Sequence, residues 1–272
     1  MVTKEFTIEY KNGDEFKLKP IFDVHLGNAY CDVDAFKAYL KDSDNKTYFV
    51  LGGDLLDSVV IGDKRYRKSV DASEGDSILD EQLDIAYDLL KPYARKILGI
   101  GIGNHEDVIT KRCGVNLMKN LAGRLSTADH HVELFGLSAL YRLKFRYKNG
   151  GGKIRKVDIY QHHGFGGGSR TAGGNITKFD KHSAGYDADI YLYGHVHQSH
   201  FDGNRTVLSL DRNAGLISKQ RWLCICGTYL KTLSDNYNVT YSEAKGYHPT
   251  TIGGLTIHIT PEEKGCHIYV SD

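Results

Sequence analysis

The chain has 272 residues and a mass of 30.4 kDa, with 40% hydrophobic and 25% charged residues, an ordinary balance for a protein built around a large core. Its formal net charge of +1 excludes a global field that would recruit nucleic acid or an anionic membrane. No apolar stretch approaches the length that spans a bilayer, and residues 1–6 lack the core of a signal peptide. A cytoplasmic protein with no membrane partner is therefore expected. The five cysteines are odd in number and scattered, which fits a reducing compartment. Cys224 and Cys226, two apart in a strand-like run, read as small buried hydrophobes on one face.

In chain order, residues 6–10 and 16–22 flank Asn12-Gly13, a strong hairpin turn signal. Asp32 is placed to cap a helix whose Val33, Phe36 and Leu40 share a face. Residues 47–51 read as a buried strand ending at Gly52-Gly53-Asp54. Ser77 with Asp80 resembles a capping box, ahead of a helix carrying Leu79, Leu83, Ala86, Leu90 and Tyr93 and stopped near Pro92. A strand over 96–100 delivers Gly103-Asn104-His105-Glu106, and a helical stretch follows over 115–125. Residues 141–147 and 153–160 flank Asn149-Gly150-Gly151-Gly152, a second hairpin, whose return strand ends at His162-His163. Another strand, 189–193, ends at Gly194-His195. Strands over 206–210, 221–227, 255–259 and 267–270 follow with almost no helical periodicity. Alternating strand and helix, then mostly strand, suits a β-sandwich with helices packed outside it. No repeat or long linker divides the chain, so a single domain over 1–272 is expected.

Five segments of the chain end in short polar clusters, most of them after a β-type run: Asp23-Val24-His25, Gly53-Asp54-Leu55-Leu56-Asp57, Gly103-Asn104-His105-Glu106, His162-His163-Gly164 and Gly194-His195-Val196-His197. Alternate side chains of a strand share a face, so Asp23 with His25, and His195 with His197, would project together. Asp54 follows a Gly-Gly turn that permits close approach of a ligand, and its two oxygens could serve two cations. Asn104 offers a neutral carbonyl oxygen and the histidines offer ring nitrogens. That donor set suits Mn, Fe, Zn or Mg ions better than thiolate-seeking ones. A lone D-x-H or H-x-H often occurs without metal; five clusters in this order are much harder to reach by chance.

In sequence, the clusters resemble the pattern of calcineurin-like metallophosphoesterases, D-x-H, G-D-x-x-D, G-N-H-E, H and G-H-x-H, from Asp23 to His197. The resemblance implies an α/β fold with a central β-sandwich flanked by helices, four layers in the order αββα. It implies a phosphoric ester hydrolase with two divalent metal ions. One ion would be held by Asp23, His25, Asp54 and His197, the other by Asp54, Asn104, His163 and His195. Asp54 and a water or hydroxide would bridge them. The fourth cluster offers two histidines; His163, which precedes Gly164 as in the family's His-Gly form, is assigned as ligand. His162 then faces the other way as a packed or hydrogen-bonded neighbour. By the same resemblance His105 is the general acid for the leaving group or steadies the phosphoryl oxygens; general acid help is typically worth about 10²–10⁴-fold. Asp57 and Glu106 are expected to hold imidazole N–H groups, a plain solvated carboxylate being the alternative for Glu106. Two ionised Asp against two divalent ions leave a positive site that favours a phosphate anion, and such ions bring the pKa of water from 15.7 to about 7.

Two further segments bear on the substrate. The glycine-rich run 164–175 could press its backbone on a phosphate, with Arg170 as a bidentate clamp; a mobile loop with no substrate role is the alternative. Lys64, Arg65, Arg67 and Lys68, interleaved with Tyr66, could track a nucleic-acid backbone, against the plainer reading of a solvated surface. The expected partner is a phosphate-ester substrate, phosphodiesters of nucleic acid or nucleotides first. A phosphomonoesterase acting on nucleotides or phosphoproteins is one rival, and a non-catalytic binding scaffold on the same fold is another. A scaffold would be expected to lose ligands, the His105 position above all, and none is missing.

Overall fold

The computed structural model describes residues 1–60, 63, 77–150, 154–169, 171, 173–211, 213–233 and 240–272. Its first half runs β1 (Val2–Tyr10), β2 (Phe16–Ile21), α1 (Val33–Lys41), β3 (Thr47–Leu51), α2 (Ile78–Leu90), β4 (Ile97–Gly101), α3 (Asn104–Cys113), α4 (Leu117–Leu125) and β5 (Glu133–Gly136). Its second half runs β6 (Ser138–Tyr147), β7 (Ile154–His162), α5 (Gly174–Ser183), β8 (Ile190–Tyr193), β9 (Ser199–Leu210), β10 (Leu216–Cys226), the short α6 (Tyr241–Ala244), β11 (Thr256–Glu262) and β12 (Gly265–Ser271). The strands form two six-stranded sheets, ordered β1-β6-β7-β8-β10-β9 and β12-β11-β2-β3-β4-β5.

Period-two alternation builds the layers. Leu18, Val50, Leu98 and Ile257 of one sheet meet Leu143, Val157, Ile159 and Leu192 of the other in a shared core. Phe49, Leu51, Ile97 and Ile100 point outward and are covered by Phe36 and Leu40 of α1, Leu83 and Ala86 of α2, and Met118 and Leu121 of α4. On the far side Tyr160, Tyr191 and Tyr193 are covered by Phe179 of α5. The architecture is thus αββα, as the sequence pattern and the resemblance led us to expect. Cys224 and Cys226 lie in the inter-sheet core while Leu223 and Ile225 face α5, so the shared-face reading holds. No helix among the described residues is long and apolar enough to cross a membrane.

Several local expectations hold in detail and others do not. Asp32 caps α1, its side chain accepting the Ala35 N–H at 3.0 Å. The 138–162 hairpin forms, β6 and β7 pairing antiparallel from Ser138↔His162 outward. The first expected hairpin does not. Asn12-Gly13 turns the chain, with Gly13 at φ +83 and the Asp14 N–H donating to Lys11 C=O at 3.1 Å. However, β1 pairs with β6 in one sheet and β2 with β3 and β11 in the other. Ile8, Tyr10, Phe16 and Leu18 all enter the inter-sheet core, so the apolar sides of these strands face one another across the sandwich instead of lying side by side. Ser77 makes no capping bond to the backbone; its hydroxyl donates to the Asp80 carboxylate at 2.7 Å. Helix α5 has no counterpart in the sequence reading. Its inward face is only Asn175, Phe179 and Ser183 with Ile176 beside them, too little apolar signal in a Gly-, Lys- and His-rich segment.

Chain direction sets the site. β2, β3 and β4 run parallel in one sheet, as do β7 and β8 in the other. The carboxyl ends of five strands therefore open on one edge of the sandwich, where crevices for ligands form in parallel sheets.

Candidate metal centre

The five clusters meet at this edge, but not by strand alternation. β2 ends at Ile21, β3 at Leu51 and β8 at Tyr193, so the paired ligands lie beyond the strands. Asp23, His25, Asp54, His195 and His197 all have left-handed backbone, with φ of +50, +56, +50, +70 and +55. Side chains reach left-handed conformations only at a cost of about 1 kcal/mol or more each, and such residues gather at functional sites. Backbone bonds hold them there: Asp23 N–H donates to Gly53 C=O (3.2 Å), His25 N–H to Asp54 C=O (3.0 Å) and Gly194 N–H to His163 C=O (2.8 Å). The His195 N–H donates to the Asp23 carboxylate at 2.6 Å. Two glycines are required by close approach. A Cβ on Gly103 would strike Asp54 Oδ1, and one on Gly194 would crowd Asp23 Oδ2.

The side chains assemble in two groups whose ligand atoms lie within 4.8 Å of one another, Asp23 with His25 and His197, and Asp54 with His163 and His195. Within the first, His25 Nε2 is 3.1 Å from His197 Nε2, which is 3.8 Å from Asp23 Oδ1. In the second, Asn104 Oδ1 lies 3.0 Å from His163 Nε2 and 2.7 Å from His195 Nδ1, and His163 Nε2 is 3.3 Å from Asp54 Oδ2. A third, overlapping group joins His25, Asp57 and His105. The structure therefore brings together Asp23, His25, Asp54, Asn104, His105, His163, His195 and His197. Arg170 and the basic run Lys64, Arg65, Arg67 and Lys68 lie outside the described residues.

The tautomers decide what these donors can hold. His25 Nδ1 faces Asp57 Oδ1 at 3.1 Å, His163 Nδ1 faces Gly52 C=O at 3.0 Å, and His195 Nε2 faces Gly166 C=O at 2.9 Å. Carbonyl and carboxylate oxygens only accept, so each of these nitrogens carries the ring proton. In a neutral ring the other nitrogen then presents a bare lone pair. Those of His163 and His195 point at Asn104 Oδ1, and that of His163 also at Asp54 Oδ2. Acceptor against acceptor is repulsive unless a cation lies among them or a ring takes a second proton. Asp23 Oδ1 is buried with no hydrogen-bond partner among the described residues. Imidazole nitrogens, carboxylates and one amide oxygen are the donors of Mn, Fe or Zn sites, and these residues fit such ions.

Protonation follows the same logic. Burial, with the Asp54 carboxylate adding to it, pushes the Asp23 carboxyl up to about 7. Burial works against the charge of His163, yet the Asp54 carboxylate, then Asp23 and Glu106, push it up to about 10. Asp54 is held well below the usual carboxylate range because His163 and His105 outweigh its burial. His197 is held well below the usual histidine range by burial and by His25. The site attracts positive charge at Asp54 and keeps His197 neutral, ready to ligate.

Around the ligands, His105 turns Nδ1 to the Asp57 carbonyl and places Nε2 3.9 Å from Asp54 Oδ2. Asp57 holds the His25 imidazole, as expected, and also accepts from Asn28 Nδ2 at 3.2 Å. Glu106 holds no imidazole. It is 1% exposed and accepts the backbone N–H groups of Asp54 (3.0 Å), Leu56 (3.0 Å) and Gly103 (2.9 Å), which ties the Asp54 loop to the first turn of α3, where Asn104 sits. Of the paired histidines, His163 enters the metal group. His162 faces the aromatic rings of Phe165 and His182, and burial pulls it down to about 4. Sequence reasoning missed Asn28, the Gly166 carbonyl, and Gln82, which accepts the Ser58 N–H at 2.9 Å. Nothing in their sequence context marks them, because each acts through a contact made only in the fold.

No family model and no curated protein matches the chain. Among solved structures it is similar to a metallophosphoesterase from Sphaerobacter thermophilus, at 11% identity over 94% of this chain and 88% of that one, TM-score 0.39. It is similar to the NAD nucleotidase of Haemophilus influenzae, at 11% identity over 96% of this chain and 50% of that one, TM-score 0.41. A zinc complex of Vps29 from Entamoeba histolytica aligns at 10% identity over 94% of this chain and 99% of that one, TM-score 0.39. At such TM-scores these likenesses carry no weight on the chemistry, which rests on the residues and distances above.

Proposed function

We propose that the protein is a two-metal phosphoester hydrolase that prefers phosphodiesters. The observation that supports it most is the pair of neighbouring donor groups, Asp23 with His25 and His197 and Asp54 with His163 and His195, with imidazole nitrogens turned toward oxygens that only accept. Asp23, His25, Asp54 and His197 would hold one ion, and Asp54, Asn104, His163 and His195 the other. When bound, such ions polarise a phosphoryl oxygen and make a water nucleophile accessible near neutral pH.

The chain's own residues supply the remainder. Asp57 and the Gly52 and Gly166 carbonyls fix which nitrogen each imidazole presents. His105, anchored through Nδ1 on the Asp57 carbonyl, leaves Nε2 facing the centre. A second proton on that nitrogen makes it the acid for the leaving oxygen. Glu106 and the glycines keep the two loops at a fixed separation. The preference for diesters of nucleotides or nucleic acid is supported by the basic run 64–68 and the glycine-rich run 164–175.

The test starts from chelated protein reconstituted with Mn, Zn or Mg. It is assayed on chromogenic phosphate mono- and diesters and on single-stranded DNA and RNA. Metal-dependent diester hydrolysis, lost in Asp54→Asn together with metal at both groups, is the expected result. An Asp54→Asn protein that keeps two ions and parental turnover would sink the bridging assignment, and monoester turnover far above diester would overturn the diester preference.

A further inference from the structure

His195 presents Nδ1 to Asn104 because its other nitrogen is tied to the Gly166 carbonyl. His163 is tied in the same way, but to Gly52 at the end of a central strand. The two anchors differ in kind. Gly52 is held by the sheet, its N–H donating to Ile21 C=O at 2.8 Å. Gly166 belongs to Gly164-Phe165-Gly166-Gly167-Gly168, a segment with one side chain in five residues. Glycine loses more backbone freedom on ordering than any other residue, so this segment needs external ties to hold a ring nitrogen.

Those ties converge on Phe165. Its ring stands edge-to-face with His182 (4.9 Å between centroids), Phe179 (5.6 Å) and His162 (5.7 Å). Phe179 and His182 belong to α5, and Phe179 is fully buried. On either side of Phe165 the backbone is also bonded: the Gly164 N–H donates to His162 Nδ1 at 2.9 Å, and Lys178 Nζ donates to the Gly167 carbonyl at 3.2 Å. Lys178 itself lies over the Phe179 ring at 4.7 Å. His162, the histidine of the pair outside the metal group, is thereby used as one wall of the seat that receives Phe165.

We propose that Phe165 is a positioning residue for the second metal group: seated among His162, Phe179 and His182, it holds the Gly166 carbonyl against His195 Nε2 and keeps Nδ1 turned toward the ion. The proposal rests on the two-metal reading. It links helix α5, on the outside of the sandwich, to one ion and not to the other, because among the described residues it is the His195 ring that is hydrogen-bonded to this loop, whereas the His25 ring is held by Asp57. Partners that orient a metal-ligating histidine typically change affinity by about 10–100-fold when lost.

The experiment uses the full chain as parent, Phe165→Ala and Phe165→Tyr, chelated and then titrated with Co(II) and Zn(II) by equilibrium dialysis, with the visible absorption of Co(II) recorded. Phe165→Ala should bind one ion with parental affinity and the other about 10–100-fold more weakly, with the spectrum of the weaker ion altered. Phe165→Tyr, which keeps the ring, should restore both. Lys178→Met, which keeps every ring of the seat but removes the ammonium over Phe165 and Phe179, should weaken the same ion to a smaller degree and keeps the test open should Phe165→Ala fail to fold. Parental affinities and spectra for both ions in Phe165→Ala and Lys178→Met would overturn the proposal whatever their melting temperatures, as would equal weakening of both ions. A parent that takes up fewer than two ions refutes the two-metal reading itself, and the proposal falls with it.

Discussion

Replacing Glu106 by Gln probes how the two central loops are joined. The Glu106 carboxylate is buried, with Oε2 accepting the N–H groups of Asp54 and Gly103 and Oε1 that of Leu56. An amide keeps only one acceptor oxygen. With that oxygen in the Oε2 position, Gln still holds Asp54 and Gly103 but sets its own NH2 against the Leu56 N–H. Loss of one hydrogen bond to a charged group, with its buried donor left unmet, is worth about 1.5–3 kcal/mol. A second effect has the opposite sign. Burial and the Asp54 carboxylate push the Glu106 carboxyl above its ordinary range, so a neutral amide relieves repulsion between buried carboxylates in chelated protein. Cations on Asp54 offset that repulsion, and the relief then vanishes. Urea unfolding followed by circular dichroism should therefore find Glu106→Gln destabilising the metal-loaded protein by about 1.5–3 kcal/mol and the chelated protein by less. The difference must reappear as weaker metal binding, tenfold for each 1.4 kcal/mol or so. An unchanged urea midpoint in both forms, or a larger loss in the chelated form, would refute this account of Glu106.

Three other perturbations separate the remaining roles. His105→Ala should retain both ions yet lose about 10²–10⁴-fold in rate on esters with poor leaving groups, and far less on nitrophenyl esters, whose leaving group needs no proton; equal losses on the two would remove His105 as the acid. His163→Ala should release one ion, whereas His162→Ala, which removes one wall of the Phe165 seat, should still take up both ions at saturating metal, weaken only the one at His195 and lower the melting temperature; loss of one ion in His162→Ala with both retained in His163→Ala would reassign the ligand. Chelated protein holds a proton on Asp23 up to about pH 7 and on His163 up to about pH 10. Ion binding at pH 6 must therefore expel both, and calorimetry in buffers of different ionisation enthalpy should count about two protons from these groups at pH 6 and about one at pH 8. Because both folded-state pKa values are raised, these groups stabilise the chelated fold at low pH, a contribution lost as pH rises through about 7 for Asp23 and about 10 for His163. Ion uptake without proton release at pH 6 would contradict the burial argument.

The layers, and which polar clusters come together, were legible because both are written in local signals. Val50 alternates with Phe49 and Leu51, and the two sides of β3 go to two different cores. The ligand clusters follow strand ends, and parallel strands return those ends to one edge. What stayed hidden depends on distant contacts. The Asn12-Gly13 turn looks the same whether its strands pair or separate into facing sheets. Glu106 reads as an imidazole holder or a solvated carboxylate until the Asp54 loop is laid over it, and the tautomer of His195 depends on a carbonyl of a glycine run that carries no pattern. Helix α5 was missed for a related reason, since its buried face rests on Phe179 and little else.

The backbone of the clustered residues carries a cost of its own. A strand would bring Asp23 and His25 to one face without strain, yet both are left-handed, as are Asp54, His195 and His197. Glycine would relieve the cost at each position but carries no donor atom. The strain persists because the same residues are pinned through their main chains: His25 N–H on Asp54 C=O, Leu26 N–H on Leu55 C=O, and Tyr229 N–H on Asp23 C=O at 3.0, 2.8 and 3.0 Å. These bonds are main-chain ones, and the Asp54 and His195 N–H groups are held by the Glu106 and Asp23 carboxylates, so contacts within the fold set the donor geometry. Two consequences follow physically. On the two-metal reading, ions would meet donors already in place, which limits the ordering cost of binding. Repulsion among the gathered carboxylates and ring nitrogens would then be a cost of the fold that an ion removes, linking metal affinity and fold stability through the same residues.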